Sequence, residues 1–148
     1  MNIYPKKGID KVLFGMKTKT VENILGKPDK QFTDEDQNTI YLYNNAKLSL
    51  TFYEEEDLRL GYMTVSHAEA TLFEKLIIGM HVADAKKSIT TIQKWEIEDF
   101  DLTENHFNES NWFTLQVEFG TIIRIEIGAV FNENDEMQFK FKNNKSIK

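Results

Sequence analysis

The sequence predicts an α+β fold of two tandem repeats, each a short helix followed by a three- to four-stranded antiparallel meander, with the helices packed on one face of the sheet. Three observations predict it. Gly15-Met16 precedes a short helical pattern, and Gly79-Met80 precedes a second one 64 residues later. Each pattern is followed by alternating runs rich in β-branched and aromatic residues. Asn, Gly and acidic turn signals separate those runs. A period this long, seen twice, reads as a tandem duplication and not as a solenoid. The repeats span about 9–66 and 76–142 of one 148-residue domain, with a basic tail at 143–148.

Residues 11–14 form a brief extended piece that Gly15 breaks. Thr18 or Thr20 caps a helix whose apolar face is Val21, Ile24 and Leu25, and Gly26 with Pro28 stops it. Two turns do not persist alone, so this helix must pack on a sheet. Strands follow at 38–43, 47–53 and 58–66, separated by Asn44-Asn45 and by the acidic turn 54–57. Ile40 and Leu42 alternate with Tyr41 and Tyr43, and Leu48, Leu50 and Phe52 alternate with Lys47, Ser49 and Thr51, so one face of the meander is buried and the other wet. Residues 67–76 join the halves without Pro or Gly. A second helix, about 83–94, carries Ala85, Ile89 and Ile92 on one side, with Asp84 as its cap. Strands are expected at 95–102, 111–119, 121–129 and 137–142. Leu115, Val117 and Phe119 point one way, as do Ile123, Ile125 and Ile127; Gly120-Thr121 makes a tight hairpin and 132–136 a looser acidic one.

A chain of this length buries roughly 70% of its unfolded surface, enough for a core without staples. It has no cysteine, which closes disulfide, thiolate-metal and cysteine-nucleophile chemistry. Its lysine-bearing start lacks a signal-type apolar run, and nothing approaches the ~20 apolar residues of a membrane span; the expectation is a soluble cytoplasmic protein. The net charge of −6 is unevenly placed. Residues 96–136 hold eleven acids against Arg124, and residues 29–57 hold eight against Lys30 and Lys47, while both ends are lysine-rich. Such a field repels phosphate backbones and attracts basic partners. No nucleic-acid or membrane partner is expected.

His67, His81 and His106 have no ligands at metal spacing, so no metal or cofactor is expected. There is no nucleophile elbow or phosphate loop. Glu96 and Glu98 share a strand face, but carboxylates so crowded stay solvated, and no enzyme is expected; catalysis would need a concave pocket holding two of Glu96, Glu98, Glu118 and Glu126. Trp95, Phe100, Phe107, Trp112 and Phe113 are interleaved with acids. Rings inside an acidic rim suit a protein-binding surface for a basic partner, and the same rings also suit a core. The candidate contact residues are Glu96, Glu98, Asp99, Asp101 and Trp112 first. Asp34, Glu35, Asp36 and Tyr53 come second, with Tyr41, Tyr43 and Tyr62 on the same wet strand faces.

The run Phe14-Gly15-Met16, Val21, Ile24-Leu25-Gly26 and Pro28-Asp29, followed by an aromatic strand and a Leu-x-Leu-x-Phe strand, resembles the helix-plus-sheet repeat of the β-lactamase inhibitor protein and the SmpA/OmlA-type outer-membrane lipoproteins. It looks still more like small bacterial immunity proteins that accompany polymorphic or contact-dependent toxins. The first repeat matches over residues 9–65. The second keeps Gly79-Met80 and the helix but has Ile89-Thr90-Thr91 in place of the Leu-Gly-x-Pro-Asp stop. The lipoproteins need a lipidated cysteine and the lactamase inhibitor is secreted. The resemblance therefore implies an intracellular immunity protein that binds a basic toxin domain, such as a nuclease. The alternative it leaves is an envelope or ligand-binding scaffold of the same fold without a toxin partner.

Overall fold

A computed structural model of the chain describes residues 1–131 and 137–138. Three short strands, β1 (Asn2–Tyr4), β2 (Gly8–Ile9) and β3 (Val12–Leu13), lead into α1 (Thr18–Leu25). Then come β4 (Lys30–Thr33), β5 (Thr39–Tyr43), β6 (Leu48–Tyr53) and β7 (Arg59–Val65), with a 3-10 turn at Glu54–Glu56. After β8 (Thr71–Leu72) and β9 (Lys75–Leu76) stand α2 (Val82–Ser88), β10 (Glu96–Asp99), β11 (Thr103–Asn108), β12 (Phe113–Glu118) and β13 (Thr121–Gly128). β14 (Val130–Phe131) pairs antiparallel with β15 (Met137–Gln138). The loop expected at 132–136, most of the strand expected at 137–142 and the tail 143–148 lie outside the described residues.

The expected pair of tandem helix-plus-meander repeats is not what the chain builds. The molecule is predominantly sheet, and its helices are only eight and seven residues long. One antiparallel sheet of eight strands runs β10-β11-β12-β13-β7-β6-β5-β4, continuous through the β13–β7 ladder. A second, five-stranded sheet runs β3-β2-β1-β8-β9, with β1 and β8 parallel. Apart from β3, which falls in the extended piece expected at 11–14, its strands come from segments that the repeat reading treated largely as leader and linker. Pairing Ile3 with Leu72 is a tertiary contact that no local pattern encodes. Both sheets and both helices contribute to one contiguous core, including Ile3, Val21, Leu72, Ala85 and Phe113.

The recurring Gly-Met pair has a definite structural role. The Gly15 amide donates to the Leu60 carbonyl and the Leu60 amide to the Met16 carbonyl, both at 2.8 Å. The Gly79 amide donates to Ile122 at 2.7 Å, and the Ile122 amide to Met80 at 2.9 Å. Each Gly-Met thus clips the chain onto a central strand, β7 or β13, just before a helix starts. At Gly79 the clip needs φ of +97°, which a side chain would strain.

The helices differ from expectation in detail. Thr18 and Thr20 both lie inside α1, whose N-cap is Lys17 without a side-chain bond. At its end the Gly26 amide bonds the Glu22 carbonyl at 2.8 Å, and Pro28 follows half-buried. Of the expected apolar face only Val21 is buried; Ile24 and Leu25 are exposed. α2 stops at Ser88, well before residue 94, because Thr90 and Thr91 follow Ile89 and β-branched runs resist the helix. His81, not Asp84, caps it, its ring accepting the Ala83 amide at 3.1 Å.

The buried face of β5 is the tyrosine face, the reverse of the expectation. Tyr41 and Tyr43 are buried and Ile40 and Leu42 half-exposed. The reason is polar: Tyr43 donates to the Gly26 carbonyl at 2.9 Å and Tyr41 to the Glu22 carboxylate, so both hydroxyls end on α1. Strands β4 and β11, each composed largely of polar residues, were not expected. In β12–β13 the register shifts at Gln116/Val117, so Ile122, Ile125 and Ile127 are buried and Ile123 half-buried.

Candidate functional site

Both acidic windows fall on hairpin ends of the large sheet, but at opposite ends. The β10–β11 turn and the β12–β13 turn lie side by side, because Thr103 pairs with Glu118. The β4–β5 and β6–β7 turns lie at the other end, since β7 runs antiparallel to β13 with Tyr62 opposite Gly128. Asp99 and Asp101 therefore lie at the end of the sheet away from Asp34, Glu35, Asp36 and Tyr53.

At the first end, Asp99, Asp101 and Glu104 stand around a hollow of about 350 Å³ whose wall also includes Phe100, Leu102 and Phe119. These three side chains are unusually open, at 53%, 65% and 81% exposure. Phe119 was expected to point the same way as Leu115 and Val117, which are buried. β12 ends at Glu118, however, and Phe119 takes φ of +49° in the turn, which breaks the alternation and swings the ring outward. Leu102 and Phe119 were missed by sequence reasoning; the signal for Phe119 was the Phe-Gly pair, read as a turn only from Gly120 onward, and no local pattern marked Leu102.

Glu104 is linked inward. His106, only 4% exposed, donates through Nε2 to Glu104 Oε1 at 2.8 Å. Its Nδ1 accepts from Lys86 Nζ at 2.8 Å. The ammonium has only donors, which fixes this tautomer. Lys86 also lies over the Trp95 ring, 4.8 Å from its centroid. The bond from His106 holds the Glu104 carboxyl below the ordinary range, and burial pushes the Lys86 amine down.

β10 carries Glu96, Glu98 and Asp99 at the rim of the sheet, all exposed. Strand alternation puts Glu96 and Glu98 with Phe107 and Asn105 on the outer face, and Ile97 and Asp99 on the core side. Trp112 does not join this group at the hairpin end. It sits in the β11–β12 turn, packs edge-on to Phe107 at 5.2 Å and lies against Gly128. That turn is held by the buried Asn108, whose Oδ1 accepts the Asn111 amide at 2.9 Å and whose Nδ2 donates to the Lys94 carbonyl at 2.8 Å. Of the five rings considered from sequence, Phe113 is fully buried, Trp95, Phe107 and Trp112 are half-buried, and Phe100 is open.

The second window is drawn together locally. Asp34 Oδ1 accepts the amides of Asp36 and Asn38 at 2.8 and 2.9 Å, and the Asn38 amide holds its carboxyl below the ordinary range. Asn38 in turn accepts the Glu54 amide at 3.0 Å, tying the two turns of that end. Tyr53 is half-buried there, its hydroxyl pushed up first by burial and then by Asp34. Glu35 and Asp36 are exposed.

None of Glu96, Glu98, Glu118 and Glu126 lines the hollow at the first end. Glu126 instead accepts from Tyr62 at 2.6 Å on the outer face. Among the described residues no group of three or more His, Asp and Glu side chains is placed to hold a metal ion. No described helix is long and apolar enough to cross a membrane.

No family model and no curated protein matches the chain. Solved structures do resemble it in fold. A DUF4309 family protein of Bacillus subtilis aligns with a TM-score of 0.52 at 12% identity, over 83% of this chain and 82% of that one. An extracellular SCP-domain protein of Bacillus anthracis gives a TM-score of 0.49 at 11% identity, and a cysteine-rich secretory protein of Staphylococcus aureus 0.47 at 16%. The alignments take in 76% and 84% of this chain but only 42% and 47% of those two. The first match speaks for a shared fold alone.

Proposed function

We propose that this chain is a non-catalytic intracellular immunity protein that captures and blocks a basic toxin domain. The observation that supports the reading is the cluster of Phe100, Leu102 and Phe119, open to solvent beside Asp99, Asp101 and Glu104 on two adjoining hairpins. Large apolar side chains in water are costly unless a partner covers them, and carboxylates around them select a basic partner and speed its approach. A nuclease-type toxin has a positive cleft for phosphates, which an acidic end can fill.

The test is co-expression and pull-down with the product of the adjacent upstream gene. The expected result is a stable complex that restores growth and weakens when Asp99 and Asp101 are changed to Lys at low salt. A complex indifferent to that charge reversal, or no complex, overturns the reading.

A ligand-binding scaffold is a second reading, favoured by one observation. Ile24 and Leu25 of α1 are exposed along an apolar hollow of about 520 Å³ that Ile9, Val12 and Leu48 also line. Displaceable binding of an apolar fluorescent probe, lost in Ile24→Asp, would favour it; an inert hollow removes it.

A further inference from the structure

β10 is the outermost strand of the eight-stranded sheet, and among the described residues no strand pairs with its far side. The Phe100 amide donates to the Thr103 carbonyl at 2.8 Å. Antiparallel ladders alternate, so from that pair the bonded positions are Glu98 with Asn105 and Glu96 with Phe107. The N–H and C=O of Ile97 and Asp99 consequently point away from β11, toward the open edge. The Ile97 side chain is 53% exposed although its cross-strand neighbour His106 is buried. An uncovered edge with an apolar residue is a template for one more strand.

The charges on that edge limit what can occupy it. Glu96, Glu98 and Asp99 crowd four positions, and Asp99 stands directly opposite Glu104, a like-charge pair. A second copy presenting the same edge is repelled. A strand bearing lysines relieves the crowding and lays its apolar residues against Ile97.

We propose that β10 docks an extended basic segment of the partner by strand addition, with bonds to Ile97 and Asp99. This rests on the reading above that the acidic end binds a basic protein, and it names the mode of capture. The segment alternates basic residues, facing Glu96 and Glu98, with apolar residues on the side of Ile97.

The probe is a synthetic heptapeptide alternating Lys and Val, with blocked ends, titrated into the full chain at low salt. Binding should slow amide exchange at Ile97 and Asp99, and N-methylating every peptide nitrogen, which keeps the charge, should weaken it about tenfold or more. Ile97→Pro, which removes one outward N–H and leaves the bonded pairs of β10 with β11, should do the same. Equal binding of the methylated peptide means attraction by charge alone and overturns the proposal. So does protection at β4, or concentration-dependent pairing of β10 with β4 of a second copy. A complex with the adjacent gene product that survives Ile97→Pro but not charge reversal overturns strand addition and leaves the immunity reading standing. If peptide pairs with β10 and that product does not bind, the immunity reading fails instead.

Discussion

Lys86 on α2 donates to Nδ1 of the buried His106 on β11 at 2.8 Å, tying a seven-residue helix to the rim of the large sheet. The helix is too short to hold its place by propensity, so this contact and Ala85 do much of the anchoring. Replacing His106 with Leu strands Lys86 and Glu104 together. The expected loss is about 1–3 kcal/mol in urea unfolding, with non-additivity when Lys86→Met is combined with it. Additive losses would mean the link is idle.

The same chain of bonds predicts an acid limb. The Glu104 carboxyl sits below its ordinary 4.5 because His106 donates to it. A depressed carboxyl contributes stability above the unfolded value, and that contribution is lost as pH falls through the folded one. Wild type should therefore lose stability below about pH 4.5 more steeply than Glu104→Gln, measured by urea midpoints at successive pH values. Matching slopes would contradict the assignment.

Tyr41 and Tyr43 give the opposite, alkaline signature. Burial first, then the Glu22 bond at Tyr41 and the nearby Tyr41 at Tyr43, push both hydroxyls up to about 12. Their contribution is present below the unfolded value near 10 and lost as pH rises through about 12. Ultraviolet titration of the folded chain at pH 11 should show both still protonated. Tyr43→Phe should cost about 1 kcal/mol by freeing the Gly26 carbonyl.

Two glycines should respond very differently to alanine. At Gly8 a Cβ would lie 2.0 Å from the Val12 carbonyl oxygen, inside the tight β2–β3 hairpin, so Gly8→Ala should cost about 3 kcal/mol or more. At Gly79 nothing stands within 4 Å of a Cβ, and the cost is the strained φ alone, about 1 kcal/mol. Thermal melts of both variants check the contrast.

Phe119 and Phe113 make the sharpest pair. Phe119→Ala should leave stability within about 0.5 kcal/mol, whereas Phe113→Ala, fully buried against Phe73 and Trp95, should cost about 3–5 kcal/mol. Comparable losses would put Phe119 back in the core.

Local pattern carried the strands with strict alternation, β6 above all, because Leu48, Leu50 and Phe52 repeat every second residue against Ser49 and Thr51. It carried the helix stop at Gly26 for the same kind of reason. It could not carry β11, whose Thr103-Glu104-Asn105 opening is polar and becomes strand by lying between β10 and β12. Of the candidate contact residues, Asp99 and Asp101 came out together beside the hollow, whereas Glu96 and Glu98 face the outer side of β10 and Trp112 went to another turn, where its ring packs on Phe107.

By itself the sequence determined that helix and strand would both occur, that a Gly-Met pair stands ahead of each helix, and the uneven acidity, since each depends on neighbours along the chain. Only the tertiary structure decided that the strands fuse into one eight-stranded sheet, that β1 reaches β8, and that the two acidic windows end up apart. Those outcomes depend on which distant backbone edges pair and which side chains share one core, and such choices are settled by burial across the whole molecule rather than by any local run of residues.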